Sequence, residues 1–181
     1  MLGVIFVEFT DMVEVTFGPE MLDEMISGIE ARLESGAAYT SVGTYHHNEM
    51  VLLVTHLAKI TGRDVDELVE LFGEYLFERY VVRYPVFFKG IENALDFLET
   101  VDGHIHFEVR KLYPTAELPT FVYDRKGPEL LAMEYHSTRP FANLCRGLIR
   151  GCGKHFGQQL EISETPLPSG DDGMSFMIRR I

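Results

Sequence analysis

The sequence predicts an α+β fold, an N-terminal helical part packed against a C-terminal antiparallel sheet that carries helices of its own. Two observations predict it. Up to about Tyr113, apolar residues recur every three or four positions, the period of a helix; from Thr120 onward they alternate with a period of two. The alternating stretches are also joined by short turn signals, which join antiparallel neighbours, and not by crossover helices.

In chain order, Leu2, Ile5, Phe6, Phe9 and Val13 form a helical stripe over residues 1–18. Gly18 ends this helix and Pro19 opens the next, because the first helical position needs no N–H. Leu22, Met25, Ile26 and Ile29 mark that second helix, and residues 35–43 read as loop. A third helix covers 44–61, with Val51, Leu52, Val54 and Leu57 inward and Gly62 as its stop. Asp64 caps a fourth, carrying Val65, Leu68, Leu71, Phe72, Tyr75 and Leu76, and Pro85 breaks it. Ile91, Leu95, Leu98 and Val101 give a fifth. Asp102 is positioned to cap a sixth over 104–113, which Pro114 closes. Strands 120–124 and 130–137 follow, joined by the turn residues 125–128. A long helix after Pro140 has Leu144, Cys145, Leu148, Ile149, Cys152 and Phe156 along one side. The end is a hairpin of strands 160–164 and 174–181 around a turn at 169–173.

At 181 residues the chain suits a single domain spanning 1–181, with no repeat or linker dividing it. It has 16 basic and 28 acidic residues, a net charge of −12, so a polyanion is repelled and nucleic acid is not an expected partner. No apolar run approaches the ~18 residues of a spanning helix, so no membrane insertion is expected. The two cysteines and the lack of a secretory leader pattern lead to an expectation of a reducing, cytoplasmic location.

The stretch with most chemistry is EYHSTR, residues 134–139. On a strand, Tyr135, Ser137 and Arg139 point to one face and converge two hydroxyls and a guanidinium on one spot. That set suits a carboxylate-bearing ligand, because Arg pairs with carboxylates in bidentate fashion. The same alternation also suits a solvated strand face. Upstream, HIHFEVRKLYP at 104–114 reads as a helix with two histidines. At about 100° per residue, His106 lies beside Tyr113 at the edge of the Ile105–Val109–Leu112 apolar sector, whereas His104 falls between Glu108 and Lys111. Only His106 can face a buried ligand from this helix.

Together the two stretches resemble the H-NOX (haem nitric oxide/oxygen binding) domain, the fold of the soluble guanylate cyclase sensor and of bacterial gas sensors. Tyr135, Ser137 and Arg139 match its YxSxR motif in full, His106 precedes the Tyr-Pro pair at the family's spacing, and the resemblance runs from MLGVIF to the final strand. It implies haem b (iron protoporphyrin IX) between the helical part and the sheet part, with His106 on the iron and YxSxR on the propionates. It further implies that Leu144 stands where oxygen-binding relatives have Tyr, that Phe9 and Leu76 stand where that Tyr finds support, and that Ile5 and Pro119 press on the haem. None of Phe9, Leu76 and Leu144 donates a hydrogen bond. The expected function is therefore a gas sensor, not an enzyme, that binds NO and CO and not stably O₂. Its expected partner in trans is a sensor histidine kinase or a diguanylate cyclase/phosphodiesterase. The alternative is an O₂-sensing or peroxidase-like haem protein, but peroxide cleavage calls for a polar acid or base near Leu144, and none is visible.

Of the other histidines, His46 and His47 are expected at a helix start in solvent, His56 in boundary packing, His136 on the strand face away from Tyr135, and His155 at a helix C-terminus. Some relatives hold zinc through cysteines, but Cys145 and Cys152 lie seven apart with no CxxC, so they are expected in the core and zinc is not expected. Gly147 and Gly151 suggest close approach of their helix to haem or to another backbone.

Overall fold

The computed structural model describes residues 1–168 and 173–181. Seven α-helices are assigned among them: α1 (Gly3–Phe17), α2 (Pro19–Ser27), α3 (His47–Thr61), α4 (Val65–Arg83), α5 (Ala94–Thr100), α6 (Phe107–Leu112) and α7 (Ala142–His155). Strands β1 (Thr120–Gly127), β2 (Leu130–His136), β3 (Leu160–Pro166) and β4 (Met174–Arg180) form one sheet in the order β1-β2-β4-β3, antiparallel at every pairing. The predicted α+β class is what the chain adopts.

Several local signals act as their chemistry requires. Gly18 has φ 93° and Pro19 follows at the start of α2. Gly62 ends α3 in the left-handed region. Asp64 caps α4 by accepting from the backbone N–H groups of Asp66 (2.8 Å) and Glu67 (3.2 Å). Other boundaries differ. The third helix begins at His47, because Thr44 is held in a bridge with Leu2 and His46 Nδ1 accepts from the Asn48 N–H. β1 runs on through Arg125 and Lys126 to Gly127, with a register shift there, and the turn narrows to Pro128 and Glu129. Most of the expected turn at 169–173 lies outside the described residues.

The largest departure is at Asp102. It caps nothing, because residues Val101–His106 form a π-helical turn that runs without a break from α5 into α6. The 100° step of an α-helix does not hold across this segment.

Two apolar clusters build the molecule. One joins α1–α4 around Phe6, Phe9, Met12, Leu53, Leu57 and Leu76; the other lies between the sheet and α5 and α7, around Met133, Phe176, Ile178, Leu95 and Ile149. Partly buried Leu148 on α7 packs against both. α7 and α4 approach unusually closely at Gly73 and Gly147: a Cβ on Gly147 would lie 2.1 Å from the Glu70 carbonyl oxygen, and one on Gly73 would lie 2.5 Å from that of Leu144. Gly147 thus answers to another backbone, whereas Gly151 packs chiefly on the Phe77 side chain. Charge pairs flank the contact, Arg146 to Glu70 at 3.2 Å and Lys154 to Glu74.

Two buried carboxylates that sequence periodicity did not single out tie down the helical part. Glu8 is 1 % exposed on the apolar side of α1 and accepts from Arg79 Nε and Arg83 Nη1 on α4, both at 2.8 Å. Glu49 accepts from Ser35 Oγ at 2.5 Å and Tyr39 Oη at 2.8 Å, which anchors the loop before α3 while the Tyr39 ring stacks on Phe6.

Candidate functional site

A cavity of about 1280 Å³ opens between the two clusters. It is mostly apolar, and its walls come from α1, α3, α4, α5, the π-helical turn, α6, β1, β2 and α7. Such a size exceeds the usual range for small-ligand sites, so the space suits a large flat cofactor.

His106 lines one wall. Its side chain is 14 % exposed, whereas His104 faces outward and packs edge-on against Phe87. His106 Nδ1 lies 3.4 Å from Asp102 Oδ1, and the Phe121 ring sits 5.7 Å from the imidazole. Burial holds the imidazole below its ordinary pKa, against the Asp102 carboxylate and the Pro119 backbone, which pull the other way. The neutral form is the one that can ligate iron.

Tyr135, Ser137 and Arg139 line the same cavity. Strand alternation alone does not bring them together, because β2 ends at His136. Tyr135 is the buried residue of the three, at the end of the β2 core face. Ser137 and Arg139 follow in a turn, where Ser137 Oγ accepts from the Arg139 backbone N–H at 3.1 Å. The Arg139 side chain is only 12 % exposed; Nη1 donates to the Glu117 carbonyl at 3.1 Å and Nη2 to the Glu117 carboxylate. Both bonds go to Glu117, so a second carboxylate would be met by the remaining guanidinium N–H groups or in place of Glu117.

Ile5, Leu76, Pro119 and Leu144 also line the cavity. Phe9 does not. It is fully buried behind the wall, edge-on to Phe72 at 5.2 Å, because α1 turns its Phe6–Phe9–Val13 stripe into the helical core. Lining residues that the sequence did not single out include Tyr80 and Arg83 on α4, Tyr84 just past its end, Phe121 on β1, and Cys145 on α7. The α4 stripe was legible, since 76, 80, 83 and 84 share one helix face. His46 and His47 stack on each other at 4.7 Å and reach the rim, and His136, expected on the far face, also lies along it. Burial, His46 and Arg139 lower the His47 pKa, and burial followed by Arg139 lowers that of the Met1 amine. Arg139 brings a positive charge to this part of the rim, where it pairs with the Glu117 carboxylate.

The profile of the haem-NO-binding family matches residues 2–164. This chain is an H-NOX protein. Its likeness to solved members covers its full length. An H-NOX protein from K. algicida, in the Fe(II) unliganded form, is 36% identical, with a TM-score of 0.91 over 100% of this chain and 97% of that one. The H-NOX from Shewanella woodyi, solved in solution in the Fe(II)CO state with IWP-051 bound, is 38% identical (TM-score 0.84; 100% and 95% covered). An H-NOX protein from S. oneidensis in the Fe(II)NO state is 26% identical (TM-score 0.89; 100% and 99% covered). Among curated proteins none matches. H-NOX domains are haem-binding gas sensors, and the chain shares their mixed helix and four-stranded antiparallel architecture. No helix among its described residues is long and apolar enough to cross a membrane.

Proposed function

We propose that this H-NOX protein binds haem b through His106, senses NO and CO and not stably O₂, and passes the signal to a separate protein. The observation that carries the reading is one cavity lined at once by His106, by Tyr135, Ser137 and Arg139, and by the apolar Ile5, Leu76, Pro119 and Leu144. Bound haem supplies an iron atom able to take up a diatomic gas. The chain's own residues do the rest. His106 would hold the iron through a neutral imidazole, Arg139 would pair with a propionate, and Tyr135 and Ser137 would offer hydroxyls to the same carboxylates. Leu76 and Leu144 keep the gas side apolar, which withholds the donor that stabilises bound O₂ by about 1.5–3 kcal/mol. The cysteines are buried seven apart on α7 with no CxxCH, so haem b fits better than a covalently attached haem. Movement of the π-helical turn and α6 is the output, read in trans by a sensor histidine kinase or a diguanylate cyclase/phosphodiesterase.

Haem retention tests this. His106→Gly is expected to lose haem or to need added imidazole to keep it, while His104→Gly keeps a normal Soret band. The reverse pattern puts the ligand on the other histidine.

One observation favours a second reading, O₂ sensing. Tyr80 brings a phenol into the cavity one turn beyond Leu76. Under the first reading, the ferrous protein keeps its unliganded visible spectrum in air. A reversible change in air that Tyr80→Phe abolishes establishes the second.

A further inference from the structure

We propose that Asp102 and Arg110 act on His106 as an opposed pair, Asp102 strengthening the imidazole as an electron donor and Arg110 restraining it. The proposal rests on His106 being the iron ligand.

The geometry points there from three sides. The π-helical turn and the α-helix that follows it set Asp102, His106 and Arg110 at four-residue intervals along one stripe. Asp102 Oδ1 lies 3.4 Å from His106 Nδ1, and the same oxygen accepts from Arg110 Nη2 at 3.3 Å. His106 Nδ1 is buried, and among the described residues it has no hydrogen-bond partner of good geometry. At 3.4 Å the carboxylate is just beyond normal N–H···O range, so a shift of a few tenths of an ångström completes the bond.

A carboxylate that receives the Nδ1 proton fixes the ring's tautomer and makes the opposite nitrogen a better donor. Arg110 draws on the oxygen that faces the ring and weakens that acceptor. The two residues therefore push the imidazole in opposite directions. Neither is deeply buried, with side chains 26% and 41% exposed, so both can be replaced without opening a core cavity. The Pro119 backbone also acts on the ring, in the same direction as Asp102.

The test is the iron–histidine stretching band of the full-length ferrous holoprotein without gas, read by resonance Raman for wild type, Asp102→Asn and Arg110→Met. The band should fall in Asp102→Asn and rise in Arg110→Met. Haem transfer to a scavenger protein should quicken about tenfold in Asp102→Asn, at the low end of what loss of an outer-shell partner costs in metal affinity. Shifts in the same direction in both variants would mean simple loosening and overturn the proposal. An unchanged band in Asp102→Asn would show that Asp102 does not act on Nδ1 and overturn it equally. Absence of any iron–histidine band in wild-type holoprotein refutes His106 as ligand, and with it the reading on which this proposal stands.

Discussion

Replacing Gly147 by Ala tests whether the α4–α7 contact sets the shape of the cavity. A Cβ at this position would sit 2.1 Å from the Glu70 carbonyl oxygen, 2.8 Å from the Gly73 Cα and 2.9 Å from the Glu70 carbonyl carbon, where ordinary contact begins near 3.4 Å. All three atoms are main chain of α4, so no side chain can rotate away and the helices must part by about 1 Å. Alanine is the better helix former by about 1 kcal/mol, which acts in its favour. Overpacking a tight site costs about 1–3 kcal/mol, and main-chain contact places Gly147 at the upper end. The expected net effect is a loss of about 1–2 kcal/mol, seen as a lower denaturation midpoint at unchanged slope, or a Tm about 2–8 °C lower. Gly103→Ala is the control: nothing lies within 4 Å of its Cβ position, so propensity alone should leave it as stable as wild type or slightly more so. Leu144 and Leu148 ride on α7 into the cavity, so the carbon monoxide complex of Gly147→Ala should also show altered binding kinetics. A Gly147→Ala protein as stable as wild type would refute the claim that this contact is rigid.

Arg139→Ala should release haem faster than Ser137→Ala, since Arg139 offers the propionate a full positive charge and several N–H donors whereas Ser137 offers one neutral hydroxyl; equal release rates would remove the propionate clamp from the reading. Glu8→Gln should destabilise the protein by about 1.5–3 kcal/mol, because two charge-assisted bonds to Arg79 and Arg83 weaken at a carboxylate that is almost wholly buried. Urea unfolding measures it, and a change below 0.5 kcal/mol would show that Glu8 does not tether α1 to α4, a value at which ordinary surface substitutions fall.

Much of this molecule was legible because its signals are local. Gly18–Pro19, Asp64 and Gly62 each solve a backbone problem at one helix end, and the structure uses each as its chemistry dictates. The change of period near residue 115 separates helices from sheet for the same reason, since a side chain's direction follows from the element it sits on. That Phe9 packs behind the cavity wall was not legible, because a helical stripe shows that a residue is inside, not which inside it faces; the cavity and the helical core lie on adjoining sides of α1, and Ile5 turns to one while Phe9 turns to the other. Tyr80 and Arg83 were missed for the complementary reason, as polar-tipped residues on the face of α4 that mixes core with cavity wall. Gly73 gave no signal until α7 was laid against it. Glu8 and Glu49 could not be found from periodicity, because their partners lie 71 and 75 residues away for Glu8 and on a loop for Glu49.

At the π-helical turn, sequence reasoning turned His106 inward by an incomplete route. The 100° wheel turned His106 inward and His104 outward, and the structure agrees on both, although residues 101–106 do not follow that wheel. The agreement has a physical origin. Tyr113, Leu112, Val109 and Ile105 all line the cavity, and Phe107–Leu112 is α-helical, so the inward face is set from the C-terminal side and His106 stands directly before it. Only residues upstream inherit the π-turn's wider pitch, and Asp102 is the one whose role changes as a result. In an uninterrupted α-helix beginning after it, Asp102 would spend its carboxylate on free backbone N–H groups. Because the chain instead continues unbroken from α5, those N–H groups have partners within the helix, and the carboxylate is left to face His106 and Arg110. The irregular turn thus converts a residue whose sequence context reads as a cap into one that addresses the candidate iron ligand, which accords with the tendency of π-helical segments to occur at functional sites.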